Sequence, residues 1–295
     1  MKGLASGSEG GVTVEQAYAR CALLAQTHYE NFTVGSWLLP RDKRPHMYAI
    51  YAYCRGVDDL GDEYDGNRLA ALDAWEEDLE RCYDGAPNHP FMVALQQTIH
   101  DFDIPIEPFR KLVEANRIDQ TVTRHQTYAD LERYCQHSAN PVGHLVLYLF
   151  GYRDEERQAL SDYTCTALQL ANFWQDVARD QEMGRVYLPV EDMERFGYTG
   201  EMLAAREFNT RFRDLMAFEV DRAKELFSRG LQLIDTLDGR LKLDVALFSR
   251  GGSRVLDAIE KQGYDVLSHR PTLSKAARTW LMLSTTVRLK LGLGV

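Results

Sequence analysis

The chain has no apolar run near the ~20 residues that span a bilayer. It also lacks any stretch of sustained strand alternation, any short repeat, and any Gly/Ser- or Pro-rich linker between residues 13 and 290. Those absences exclude a membrane-spanning protein and a tethered pair of domains, and they disfavour a β fold. Dense basic runs are missing too. With 34 Lys+Arg against 44 Asp+Glu, the formal net charge is −10, so nucleic acid is not an expected partner. Cysteine is sparse: Cys21, Cys54, Cys82, Cys135 and Cys165 are odd in number and form no C-x-x-C. They read as small core hydrophobes in a reducing compartment. No G-x-G-x-x-G, P-loop lysine or H-E-x-x-H motif is present, and no histidine has Glu three residues before it. The dinucleotide fingerprint, the nucleotide phosphate loop, the zincin site and the di-iron helical bundle are therefore unsupported. Residues 1–12 are small and Gly/Ser-rich without the apolar segment of a signal peptide, and they read as a disordered tail. A cytoplasmic, soluble protein is expected.

What remains is helical periodicity. The spacing predicts helices near 13–27, 44–65, 68–83, 90–101, 107–119, 127–139, 141–151, 154–182, 201–230, 240–262 and 272–290, with most prolines at their ends. One all-α domain over 13–295 is the simplest organisation. A hydrophobic fraction of 45% suffices for a sizeable core.

Two acidic clusters stand out on these helices. The first is Asp58-Asp59-Leu60-Gly61-Asp62-Glu63, and the second runs from Asn172 through Asp176 to Asp180. Steps of four place Asp58 with Asp62 on one helix face, and Asn172, Asp176 and Asp180 along another. Each follows an apolar and aromatic run, Met47–Cys54 and Ala167–Trp174, unlike an ordinary solvated face. Carboxylates about 4 Å apart repel by roughly 4 kcal/mol at an effective dielectric near 20. A strong cation between them removes that penalty. Hard oxygen donors at this density suit Mg²⁺ holding a substrate phosphate.

The surroundings add to this chemistry. Tyr51, Arg55, Asp58 and Asp62 share one stripe, offering an aromatic face, a cation for an anion, and two ligands. Gln169 precedes Asn172 by three, and Gly184 lets the chain turn so that Arg185 and Tyr187 approach a bound phosphate. Each segment taken alone also has a plain reading. Arg55 and Asp58 could neutralise each other at a surface, and Arg185 could be a solvent-exposed arginine after a helix end. Phe32, Tyr53, Phe173 and Trp174 are expected as core packing before any other role.

The two segments together resemble the squalene/phytoene synthases, all-α head-to-head prenyl synthases. The resemblance rests on Tyr51-Ala52-Tyr53-Cys54-Arg55 leading into Asp58-Asp59-x-x-Asp62. It continues with Gln169-Leu170-x-Asn172-x-x-x-Asp176-x-x-x-Asp180 and Arg185-x-Tyr187-Leu188-Pro189. It extends to His28-Tyr29-Glu30-Asn31-Phe32, Leu38-Leu39-Pro40, Tyr134-Cys135-x-x-Ser138-Ala139-Asn140-Pro141-Val142-Gly143 and Gly263-Tyr264-Asp265-Val266. The implied fold is an isoprenoid-synthase-type helical bundle around a central apolar cavity. The implied metal ligands are Asp58, Asp59, Asp62, Asn172, Asp176 and Asp180, with Asp59 acting from behind the others. The implied diphosphate contacts are Arg55, Arg185, Tyr187, His28 and Phe32. Tyr51, Tyr134, Gln169 and Gln175 are the implied catalytic group, with aromatic faces including Trp174 steadying a carbocation.

Within the family, the chain is most similar to the bacterial hydroxysqualene synthase branch of hopanoid biosynthesis. His28–Phe32, the Ser-Ala-Asn-Pro-Val-Gly stretch and Gln175 carry that likeness; others tend to have Arg at the last position. Glu30 stands where a basic residue is common. Both changes reduce cation near the diphosphate and argue against joining two farnesyl diphosphates. The implied reaction is Mg²⁺-dependent ionisation of presqualene diphosphate and capture of the cation by water placed by Gln175 or Gln169. Squalene synthase, presqualene diphosphate synthase and phytoene-type activities are the close rivals, and a silent lipid-binding or assembly protein is the rival of another class. NADPH use and docking of pathway enzymes stay open. Pro141 is expected to interrupt a helix, with Ser138–Gly143 either bringing two helices together or leaving room for an isoprenoid chain. The terminal helix, with Arg288 and Lys290 beside leucine-rich turns, is expected to pack into the core, with a peripheral membrane contact as its alternative.

Overall fold

A computed structural model describes residues 12–27, 39–291 and 293. His28, Glu30, Phe32 and the tail at 1–11 lie outside the described residues. The fold is all-α, as the periodicity predicts. Its helices are α1 (Val14–Thr27), α2 (Arg44–Asp62), α3 (Arg68–Asp84), α4 (Pro90–Phe102), α5 (Glu107–Ile118), α6 (Tyr128–Ser138) and α7 (Asn140–Leu149). They continue as α8 (Glu155–Glu182), α9 (Val190–Arg195), α10 (Gly200–Ala204), α11 (Thr210–Gly230), α12 (Gln232–Thr236), α13 (Gly239–Lys261) and α14 (Lys275–Lys290). Among the described residues the β structure is one isolated bridge, Arg124 with Val186.

The ends are set by local chemistry. Side chains of Asn67, Thr127, Asp154, Asn209 and Ser274 each accept a backbone N–H of the first turn that follows. The helix predicted over 201–230 is broken in two. Arg206 takes a left-handed conformation (φ 52°) after α10, and Asn209 then caps a fresh helix. Two short helices, α9 and α12, are too brief for periodicity to reveal.

Contacts divide the chain into two compact units. One holds α1 to α4, including Pro40–Ile106. There α1, α2 and α4 pack mutually, with small residues Ala17, Cys21, Ala49, Ala52 and Ala94 at their meeting point. The other unit holds α5 to α14, arranged about α8. Its core collects Leu170, Trp174 and Val177 of α8 with Leu215, Met216, Val220 and Ala223 of α11. Pro141 sits in the first turn of α7, directly after α6 ends, so the expected interruption is present. Close approach explains the glycine beyond it. A Cβ on Gly143 would stand 2.3 Å from Ser161 Oγ and 2.6 Å from Cys165 Sγ, so α7 lies hard against α8. All five cysteines are free, with Cys21, Cys82 and Cys135 buried.

The terminal helix departs from expectation. Thr285 is its single buried residue among those described, and Trp280, Leu283 and Val287 face outward. Its apolar residues follow a stripe wider than α13 alone covers, so part of the stripe remains uncovered.

Candidate active site

The site begins with α8, whose rotation is fixed by what it buries. Phe173, Trp174 and Val177 enter the core, and Trp174 Nε1 donates to the Glu219 carbonyl at 3.2 Å. The stripe carrying Asn172, Asp176 and Asp180 is thereby kept out of the core: Asn172 is exposed and the two carboxylates are half-buried. Asp180 is pushed up to about 7, first by burial and then by the nearby Asp176 charge. Arg179, Arg185 and Arg270 oppose that shift without cancelling it. Such a carboxylate pair is short of positive charge.

The donor chemistry fits Mg²⁺. Its ligands are hard oxygens one helical turn apart, and a divalent ion supplies the charge that Asp180 lacks. Among the described residues no group of three or more His, Cys, Asp or Glu gathers closely enough to cage a metal.

Beyond α8 the chain reverses in a Schellman turn. Gly184 adopts φ 79°, its N–H donates to Gln181 O at 3.0 Å, and the Arg185 N–H donates to Asp180 O at 2.9 Å. The expected turn therefore exists and returns Arg185 to the acidic stripe. The next residues pair with the α5–α6 loop: Val186 N–H donates to Thr123 O at 2.9 Å, and Val190 N–H donates to His125 O at 3.0 Å. Below them, Arg222 of α11 bonds Asp192 of α9 at 2.8 Å, clamping the segment's far end. A shallow recess results, lined by Phe173, Val177, Asp180, Arg185 and Tyr187.

Tyr187 is held by an aromatic group. Its ring stacks on Phe173 with centroids 3.7 Å apart and planes 10° from parallel. Tyr134 lies 5.9 Å away and donates its hydroxyl to Asp119 Oδ2 at 2.8 Å. Burial raises both phenols above their ordinary value, so both stay protonated donors. Burial pushes His125 down, so the imidazole stacked near Tyr187 is neutral at pH 7. Phe173 and Tyr134 are thus core residues, and Phe173 also lines the recess.

Arg270 is the residue that sequence reasoning missed. It lies between α13 and α14, and its guanidinium forms a fork onto Asp176: Nη2 donates to Oδ2 at 2.9 Å while Nε donates to Oδ1. The same Nη2 reaches Gln175 Oε1 at 3.0 Å. Gln175 is buried, and its amide nitrogen donates to the Pro271 carbonyl. Both ends of the Gln175 amide are therefore engaged in seating Arg270. One signal was available, since the residue before Pro271 is forced into extended backbone and its side chain projects from a rigid position. Gln169 is half-buried on the same helix, three residues before Asn172.

The first acidic cluster belongs to the other unit. On α2, Asp58 and Asp62 are exposed and Asp59 is half-buried. Arg55 Nη2 contacts Asp59 Oδ1 at 2.6 Å and Glu63 Oε1 at 2.8 Å. Arg55 thus pairs with Asp59 and Glu63, one and two turns along, and the Asp58 charge also acts on it. Tyr51 is half-buried a turn before Arg55, and burial raises its phenol pKa.

Residues 25–277 match the family described as squalene/phytoene synthase, a span that crosses both units. The chain belongs to the squalene/phytoene synthase family. Its enzymes act on prenyl diphosphates. This member is 49% identical to the crystal structure described as squalene synthase HpnC from Alicyclobacillus acidocaldarius. That likeness covers 85% of this chain and 95% of the other, with a TM-score of 0.83. A dehydrosqualene synthase crystallised with a ligand is 27% identical, covering 94% and 98% of the two chains, with a TM-score of 0.86. Among sequences, the 15-cis-phytoene synthase of Synechocystis sp. is 35% identical over 278 residues, which is 88% of this chain and 81% of that one.

Proposed function

We propose that this synthase-family chain ionises presqualene diphosphate in a Mg²⁺-dependent reaction and lets water capture the carbocation. It would then be a carbon–oxygen lyase of the hydroxysqualene synthase type, working in the cytoplasm in hopanoid biosynthesis. The family match spans both units, and in this reading both acidic helices contribute metal ligands to one reaction. The observation that carries it is Gln175, a neutral side chain beside Asp176 where family relatives tend to place arginine, buried and bonded to Arg270. The 49% identity to the structure described as squalene synthase HpnC supports a squalene-type head-to-head synthase.

The site residues divide the work as follows in this reading. Asp176 and Asp180, with Asn172 and the α2 residues Asp58 and Asp62, would hold Mg²⁺, which neutralises the departing diphosphate. Asp59 acts indirectly by fixing Arg55. Arg185 and Arg270 offer planar forks to diphosphate oxygens, and Tyr187 adds a protonated hydroxyl. Arg55 and the residues His28 and Phe32 complete the substrate contacts. Tyr51 and Tyr134 would present aromatic surface that steadies a cation by ~0.5–2 kcal/mol each when desolvated, whereas Trp174, fully buried against α11, is core packing. Apolar walls keep bulk water from the cation. Since the Gln175 amide is engaged by Arg270 and Pro271, Gln169 is the better candidate to place the attacking water.

A second reading has its own support. Arg270 restores one cation beside Asp176, and the curated relatives include phytoene synthases, which favours joining two prenyl diphosphates. Incubation with presqualene diphosphate and Mg²⁺, with and without NADPH, separates the two when products are extracted and weighed. A thirty-carbon alcohol formed without NADPH is the expected product. Squalene appearing only with NADPH, or efficient turnover of farnesyl or geranylgeranyl diphosphate alone, defeats the proposal.

A further inference from the structure

The C-terminal helix α14 leaves a long apolar stripe uncovered. Trp280, Leu283, Val287 and Leu291 follow steps of three and four, so they stand above one another on one face. Their exposures are 68, 55, 54 and 67%. The opposite face is the one that packs. Thr285 is buried with its hydroxyl returned to the Leu281 carbonyl at 2.7 Å, and Leu281 lies over Gly251 of α13. Isolated exposed apolar residues are commonplace, but four in register including a tryptophan form a surface with a use.

Charge indicates what covers it. Across its length α14 carries Lys275, Arg278, Arg288 and Lys290 and no carboxylate, in a chain whose formal net charge is −10. Arg250 of α13 adds to the same field: it binds its proton less tightly because of burial and the nearness of Arg288 and Arg254, the latter itself paired with Asp257 at 3.4 Å. On α14, Arg288 and Lys290 flank the apolar stripe, about a quarter-turn to either side of it, while Lys275 and Arg278 lie toward the opposite face. A second copy of this chain is a poor occupant, because a two-fold contact would bring these cations face to face. Nucleic acid would have no use for the leucine and valine. We propose that α14 docks the protein onto an anionic lipid surface, with Trp280, Leu283, Val287 and Leu291 entering the headgroup boundary and the flanking cations meeting lipid phosphates. This is the geometry of an interfacial amphipathic helix, and the ~0.8 kcal/mol per buried CH₂ scale makes such a stripe a reversible anchor.

Co-sedimentation of the full-length protein with unilamellar vesicles tests it without any prenyl substrate, so its outcome is separate from that of the product assay. Vesicles of phosphatidylcholine are compared with vesicles containing about one third phosphatidylglycerol, at low and high salt. Binding to the anionic vesicles is expected, weakened by salt, with little binding to the neutral ones. Combined Trp280→Ser, Leu283→Ser and Val287→Ser should weaken it by at least about tenfold. Combined Arg288→Gln and Lys290→Gln should weaken it by roughly twenty-five-fold, about fivefold per charge. As a check needing no variant, lipid brominated near the headgroup should quench part of the native tryptophan fluorescence. Absence of binding to anionic vesicles, unchanged binding by either variant, or a dimer that the serine variant dissolves without any vesicle binding overturns the proposal.

Discussion

Arg270 and Asp176 form a two-pronged ion pair, with Nη2 2.9 Å from Oδ2 and Nε donating to Oδ1. The pair joins the loop before α14 to the acidic stripe of α8, and Gln175 grips the same guanidinium at 3.0 Å. Arg270 therefore stands where a diphosphate approaching Asp176 and Asp180 would meet it.

Arg270→Ala should lower kcat/KM on diphosphate substrates by about 10²–10³-fold, the usual loss for a donor aimed at developing charge. Arg270→Lys should recover only part of it, because an ammonium cannot make the planar fork. Steady-state kinetics with folded, monodisperse variants decides. Equal activity for alanine and wild type would confine Arg270 to a structural role.

Asp176→Asn should nearly abolish turnover and raise the Mg²⁺ concentration needed for any residual rate. Removing divalent ions with EDTA should stop the wild type, and added Mg²⁺ should restore it. Full activity in EDTA would end the metal assignment.

Gln175→Arg introduces a second guanidinium beside Arg270 in a buried position. The two cations repel, so Arg270 should shift from Asp176 and the product distribution should change. An unchanged ratio of hydroxylated to other thirty-carbon products would remove Gln175 from product control.

Asp244 on α13 is 5% exposed, and neither of its carboxylate oxygens has a hydrogen-bond partner among the described residues. Burial pushes it up to about 7 from the ordinary 3.8. The folded state thus binds this proton more tightly than the unfolded chain does. Stability from this group is intact below the unfolded value and declines as pH rises to about 7, after which the loss is constant. Asp244→Asn should therefore gain on the wild type by at most about 1.4 kcal/mol per pH unit across that window. Denaturant unfolding at pH 4, 6 and 8 (roughly, spanning the window) reads the difference. A gap that does not widen with pH would refute it.

Gly143→Ala drives a methyl group into Ser161 and Cys165 across the α7–α8 contact. A loss of about 1–3 kcal/mol is expected for such overpacking. Thermal melts of the two proteins check it, and no loss would mean that the helices separate freely there.

Helices over α1 to α8 and over α11, α13 and α14 were legible because 3.6-residue periodicity and proline placement are local properties. So was the placing of acidic stripes on α2 and α8, and so was the Gly184 turn. Arg270 was not, since its meaning depends on a partner in α8 far off in sequence. The same holds for Gln175: its identity hinted at reduced charge, while its contacts show it seating a cation. The uncovered stripe of α14 was equally hidden, because an apolar stripe in sequence does not say how much of itself a neighbour will cover.

By itself, then, the sequence determined the all-α class, the acidic stripes and the family, through spacing that any helix converts into a shared face. The tertiary structure alone decided which charges meet. Arg270 reaches Asp176, Arg55 turns to Asp59 and Glu63, and Asp180 is buried enough to hold its proton near neutrality. Electrostatic partnership depends on distance through space and on local exclusion of water, and neither is written in the order of residues.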